Sequence, residues 1–157
     1  MSEDYIEVGN YIELTRDKFT FKVDKTCYYD KNDFWVREIG GLVVVGISDY
    51  LQTHAGDIAF IELPTEGQKI RVGDQIGTIE TIKQTVAIIT PVSGIISQVN
   101  STLEEEPELI NNDAYGEGWI FKLEPAEWES DQSRLMAAAD YLPVMEDKIR
   151  VEIDPAD

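Results

Sequence analysis

Apolar positions in this chain recur mainly at period two, in short runs broken by glycine, proline and charged turns. That is the pattern of half-buried strands. Leu42-Val43-Val44-Val45-Gly46-Ile47 is a β-branched run bounded by Gly40-Gly41. A second run covers residues 58–63 and ends at Pro64, and Gly67 and Gly73 punctuate turns around residues 69–72. Residues 75–80 and 85–90 both alternate, and Thr81-Ile82-Lys83-Gln84 between them reads as the tip of a β-hairpin. The tip holds neither Asn-Gly nor Asp-Gly, so a type I turn in a longer loop is expected rather than a tight primed turn. Further strands are expected over 94–99 and 119–124.

Helical signals are fewer. Ser48 is placed to cap a short helix over 48–55, Asp49 suits its positive end, and Gly56 suits a left-handed stop. Pro107 opens a helical turn. Leu135, Ala138, Ala139 and Leu142 share one helical face, which predicts a helix from 130 to 141 that Pro143 stops. Residues 1–26 form a charged leader whose weak alternation suits edge strands or a loosely attached arm. Many short strands with little helix make the fold mainly β, a sandwich or flattened barrel with peripheral helices.

Composition narrows the function. The 157 residues suit one compact domain, and 43% apolar content supplies a core. No apolar run approaches the roughly 18 residues of a membrane-spanning helix, and the acidic start is unlike a secretory signal. One cysteine, Cys27, rules out an internal disulfide, and with one histidine it argues against a Cys/His zinc site. Net charge is −18, with −12 of it in residues 101–157. Such a surface repels nucleic acid and anionic lipid, and reads either as a well-solvated face or as a docking face for basic partners.

Catalytic machinery is sparse. His54 is the only histidine and nothing marks a serine as its partner. No glycine-rich phosphate loop follows a strand, and Glu104-Glu105-Glu106 lacks calcium-loop spacing. An autonomous enzyme is therefore not expected. Lys83 is the only basic residue between Arg71 and Lys122. By spacing alone it reads first as an ordinary solvated lysine. At a rigid hairpin tip it is also a suitable site for an attached group. Cys27 reads as a small semi-buried residue rather than a thiol that exchanges, because no cationic helix end accompanies it. Trp35 and Trp119 read as core or cleft-wall residues.

The order of motifs adds a resemblance. Val45-Gly46-Ile47-Ser48-Asp49-Tyr50-Leu51-Gln52, then residues 56–64, then Gly77-Thr78-Ile79-Glu80-Thr81-Ile82-Lys83, then Pro91-Val92-Ser93-Gly94, then Glu106-Pro107-Glu108-Leu109-Ile110-Asn111, then Tyr115-Gly116-Glu117-Gly118-Trp119, closely resembles the H protein of the glycine cleavage system, from about Tyr29 to Tyr141. The resemblance implies a hammerhead or barrel-sandwich hybrid fold of the lipoyl-domain type, with short peripheral helices and a C-terminal helix. It implies lipoic acid in amide linkage to Lys83, acting as a swinging arm on a non-catalytic carrier. Biotin carriers of similar fold usually have Met on both sides of the lysine; Ile82 and Gln84 here favour lipoate. The chain then divides into an N-terminal extension (1–26), the carrier domain (27–143) and an acidic, frayed tail (144–157).

Departures from the family pattern bear on the pathway. In glycine-cleaving relatives His-Glu-Trp usually stands where this chain has Asp33-Phe34-Trp35, and an Asp often stands at the position of Ala87. Those carboxylates help hold the amine of the loaded arm, and an unpaired buried amine is costly. Phe34 and Ala87 therefore suggest an arm cleft that holds no amine, while His54 matches a family histidine near the arm. Gln84 is larger than the usual residue and bears on ligase recognition. Glu80 orients the hairpin or marks it for the ligase, or is a plain solvated carboxylate. The favoured expectation is a carrier of sulfur intermediates, similar to the lipoate-binding proteins of sulfur-oxidising prokaryotes, serving a heterodisulfide-reductase-like complex. The alternatives are a glycine cleavage H protein carrying the aminomethyl group and an unmodified binding module. Implied partners also include a lipoate ligase or lipoyl-assembly enzymes, and dihydrolipoyl dehydrogenase. No nucleic-acid or membrane partner is expected, the default assembly is a monomer, and the expected compartment is the cytoplasm.

Overall fold

The computed structural model describes residues 5–153. Three antiparallel strands, β1 (Tyr5–Val8), β2 (Tyr11–Arg16) and β3 (Phe19–Asp24), open the chain as a meander. Its alternation is that of a one-sided sheet: Ile12, Leu14, Phe21 and Val23 are buried, while Thr15, Thr20 and Lys22 face out. The buried face packs with Tyr50, Tyr115, Tyr141, Leu142, Met145 and Ile149 in one apolar cluster. Residues 5–24 of the leader are therefore a docked sheet and not a loosely attached arm, and residues 1–4 lie outside the described residues.

The strands that follow are β4 (Tyr28–Tyr29), β5 (Phe34–Ile39) and β6 (Leu42–Ile47), which leads into helix α1 (Asp49–Ala55). Next come β7 (Ile58–Glu62), β8 (Lys69–Ile70), β9 (Gln75–Thr81), β10 (Thr85–Ile89) and β11 (Gly94–Val99). A 3-10 turn at Ser101–Glu104 and helix α2 (Leu109–Asn112) precede β12 (Phe121–Pro125), α3 (Trp128–Gln132), β13 (Met136–Ala137) and α4 (Ala138–Ile153). A seven-stranded sheet has the order β13-β4-β5-β6-β12-β11-β8, and a three-stranded sheet has the order β10-β9-β7. Their inner faces share a second, larger core that includes Val36, Val45, Ile47, Ile61, Ile79, Ile88, Ile96 and Phe121. The fold is the expected mainly-β barrel-sandwich type with small helices at its edge. Close approach inside the three-stranded sheet depends on Gly77, because a Cβ there would sit 2.2 Å from the Glu62 carbonyl oxygen.

The C-terminal region corrects the helical expectation for 130–141. Helix α3 ends at Gln132, and Met136 and Ala137 leave helical geometry to pair with Tyr29 and Tyr28 of β4. Helix α4 then runs through Pro143 to Ile153, so 144–153 is a docked helix and not a frayed tail. The physical reason is burial. An interior proline costs about 3 kcal/mol. Leu142, Met145 and Ile149 are all buried on one face of α4, each contributing about 1.5–3 kcal/mol. Pro143 and Ala139, whose carbonyl loses its partner to the proline, are both exposed, which leaves that carbonyl to water. Residues 154–157 of the expected tail lie outside the described residues.

Candidate functional site

The hairpin of β9 and β10 is built around Thr81. Its N–H donates to the Gln84 carbonyl at 2.9 Å, and its hydroxyl donates to the same carbonyl at 3.1 Å. That hydroxyl oxygen also accepts the N–H groups of Lys83 and Gln84, at 3.3 and 3.1 Å. One side chain thus closes the loop, and none of its residues has a positive φ, so the turn is not of the primed type. Ile82 is 87% exposed and Lys83 projects beside it. Among the described residues no carboxylate forms an ion pair with Lys83.

Helix α1 forms the floor beside the hairpin. Ser48 caps it, with its Oγ accepting the Leu51 N–H at 3.2 Å. Gly56 ends it at a φ of 90°, where a side chain is strained. The Lys83 stem lies over this glycine: a Cβ at position 56 would meet Lys83 Cε at 3.5 Å. Gln84 Nε2 donates to the His54 carbonyl at 3.3 Å. Asn111 of α2 pins the same corner. Its Oδ1 accepts the Ile58 N–H at 2.9 Å, and its Nδ2 donates to the Gly56 carbonyl at 3.0 Å and to Gln52 Oε1 at 2.9 Å.

The structure therefore brings Lys83, Ile82, Gln84 and His54 together. Glu80 is exposed on β9, opposite Thr85 in register. Ala87 is half-buried on β10, opposite Thr78. Phe34 is elsewhere in character: it is 1% exposed, inside the core between the sheets. In this conformation its ring presents no surface to an arm. Trp35 is a core residue whose Nε1–H donates to the Ala114 carbonyl at 2.8 Å. Cys27 is 2% exposed, and burial pushes its thiol up to about 12, although Arg37 beside its Sγ opposes the shift. A thiol so placed is unreactive.

Sequence reasoning missed three residues of the site. Asn111 lies in a motif of the resemblance, yet nothing local marks it as the clamp of α1 to β7. Tyr50 and Glu152 are the others: Glu152, from the last turn of α4, faces His54 Nδ1 at 2.6 Å and accepts the Tyr50 hydroxyl. The Tyr50 ring stacks on His54, with centroids 5.8 Å apart and planes at 19°. Burial first, and the Glu152 hydrogen bond second, raise the Tyr50 hydroxyl well above the usual phenol range, so it stays a donor. A charged residue in a charged tail carries no pattern that points to such a contact.

These features fit an attached lipoyl group. The Lys83 amine stands on a braced tip, open to a modifying enzyme and, among the described residues, without an ion pair to lose. The sequence profile of the glycine cleavage H-protein family matches residues 27–148. The chain is 43% identical over 125 residues to a probable glycine cleavage system H protein of Aeropyrum pernix, covering 78% of this chain and 87% of that one. It is 43% identical over 122 residues to the glycine cleavage system H protein of Listeria monocytogenes, covering 78% and 97%. For the Thermus thermophilus protein of the same name, identity is 40% over 124 residues, covering 79% and 96%. The crystal structure of a glycine cleavage system H protein from Mycobacterium marinum superposes with a TM-score of 0.67 at 29% identity, covering 76% of this chain and 95% of that one. The chain belongs to the glycine cleavage H-protein family, whose members are non-catalytic carriers with lipoic acid attached covalently to a lysine.

Proposed function

We propose that this chain is the lipoyl carrier of a glycine cleavage system, with lipoic acid in amide linkage to Lys83. The observation that carries the reading is the position of Lys83 on the Thr81-closed hairpin, within a chain of this family. The attached group supplies a dithiolane that opens to a dithiol and holds cargo on sulfur. The chain's own residues present and orient it. Thr81 keeps the tip closed, Gly56 turns the chain at a φ of 90° beneath the lysine stem, and Gln84 ties the tip to α1. The partners are a lipoate ligase or lipoyl-assembly enzyme, the glycine cleavage enzymes that load and unload the aminomethyl group, and dihydrolipoyl dehydrogenase.

The sulfur-intermediate reading, with its heterodisulfide-reductase-like partner, finds no support among the relatives above, all of which bear glycine cleavage names. The glycine cleavage alternative fits better. Phe34 also weakens as an argument for a changed cargo, since its ring is a core residue. Among the described residues no helix is long and apolar enough to cross a membrane.

Intact mass and peptide mapping of the protein from its own host, without reductant, test the reading. The expected result is a lipoyl mass on Lys83 that is absent from Lys83→Arg, and an aminomethyl adduct after incubation with glycine and the decarboxylating partner. Extra sulfur on the arm, with no aminomethyl loading, would restore the sulfur reading. An unmodified Lys83 throughout the native pool would leave a binding module.

A further inference from the structure

Glu152 lies four residues beyond the stretch matched by the family profile, yet α4 carries its carboxylate into the site. One oxygen, Oε1, takes both the His54 Nδ1 contact at 2.6 Å and the Tyr50 hydroxyl. A carboxylate 2.6 Å from Nδ1 favours the tautomer with its proton on Nδ1, which leaves Nε2 as the acceptor. Among the described residues nothing else bonds to the His54 ring, which is 41% exposed. The stacked Tyr50 ring fixes its plane. His54 is also at the foot of the lysine: its carbonyl holds Gln84, and Gly56, two residues on, lies under the Lys83 stem. The imidazole with this carboxylate beside it thus lies two residues from the glycine under the Lys83 stem, on the helix that Gln84 ties to the hairpin tip.

We propose that Glu152 is a positioning residue for the arm: it fixes His54 as an Nε2 acceptor, so that Nε2 takes the proton of an arm thiol, and it offsets the charge the imidazolium then carries. The inference rests on Lys83 carrying the lipoyl group. The proton leaves sulfur and arrives on Nε2, no electrons move, and no further reactant is needed. The gain is a larger thiolate fraction, and the thiolate is the nucleophilic form. A carboxylate behind an imidazole has the same two effects, on tautomer and on charge, in hydrolase triads.

His54 is the only histidine, so isotope labelling gives a single imidazole. In the full chain lipoylated by a lipoate ligase, long-range proton–nitrogen NMR at a pH where the ring is neutral is expected to show the proton on Nδ1. In Glu152→Ala the proton is expected to move toward Nε2. Reduction of the arm is expected to shift the Nε2 resonance. Alkylation of the reduced arm by iodoacetamide is expected to slow about two- to tenfold in Glu152→Gln, the range of one net hydrogen bond. That variant keeps the shape of the helix end but not its charge, and unlipoylated chain supplies the Cys27 background. A wild-type ring protonated on Nε2, or wild-type alkylation in Glu152→Gln, overturns the inference while the carrier reading stands. A Lys83 that takes no lipoyl mass overturns both.

Discussion

Asp30 shows how one partly buried carboxyl sets a pH dependence. Its Oδ1 accepts the N–H groups of Asn32 and Phe34, both at 3.0 Å, shaping the turn into β5. Burial nonetheless raises its pKa from 3.8 to about 6, outweighing those two bonds. The folded state therefore binds this proton more tightly than the unfolded chain. The resulting stability is fully present below about 3.8 and is lost as pH rises through about 6. At about 1.4 kcal/mol per pKa unit, the loss is on the order of 3 kcal/mol. Urea unfolding between pH 4 and 7 is expected to show that decline. Asp30→Asn, which keeps the acceptor oxygen but no titrating proton, is expected to flatten it. The same turn delivers Phe34 to the core, so an apolar residue at that position has a packing role whatever the arm carries. At Lys83 the corresponding expectation is chemical: arginine keeps the charge and cannot form the lipoyl amide.

Helix α4 is the element whose behaviour tertiary packing reverses. Read alone, Pro143 ends it and the charged residues beyond it fray. In the fold, Met145 and Ile149 are buried against the meander and the tyrosine cluster, and these contacts outweigh the proline. Truncating Ile149, 1% exposed, to alanine is expected to cost about 2–5 kcal/mol in denaturant unfolding. Val151→Ala, two residues on at an exposed position, is expected to change stability by less than about 0.5 kcal/mol. Loss of the last turn would also release Glu152 from His54 and Tyr50. The hairpin behaves oppositely: β9 and β10 form as their alternation predicts, and the one refinement is the Thr81 hydroxyl that closes the tip.

At the scale of the molecule, two apolar clusters divide the work. One lies between the seven-stranded sheet and the β10-β9-β7 sheet and supports the hairpin. The other joins the N-terminal meander, the tyrosines and α4. Deleting residues 1–24 would uncover Tyr50, Met145 and Ile149 and forfeit the burial of Ile12, Leu14, Phe21 and Val23. At about 1.5–3 kcal/mol for each buried side chain, a loss of several kcal/mol is expected, read as a lower Tm and greater dye binding to exposed apolar surface. The core under the hairpin is in the other cluster, so the truncated chain is expected to accept lipoate at Lys83 at temperatures below its transition. Retained folding with no fall in Tm would show that the meander contributes little.

The sequence by itself determined what local pattern and motif order can carry. Strand-type runs set β6, β7, β9, β10, β11 and β12 to within a residue or two, Ser48 and Gly56 marked the ends of α1, and two alternating runs with Lys83 between them marked the hairpin. These signals are local because strand alternation, capping and turns depend on residues a few positions apart. Tertiary structure alone decided the rest: the continuation of α4 past Pro143, the docking of the meander, the burial of Phe34, and the meeting of Asn111 with Gly56 and of Glu152 with His54. Each joins residues about 50 or more positions apart or depends on which surface a neighbouring element covers. An energy that comes from burial, or from a partner far along the chain, leaves no period and no spacing in the sequence around it.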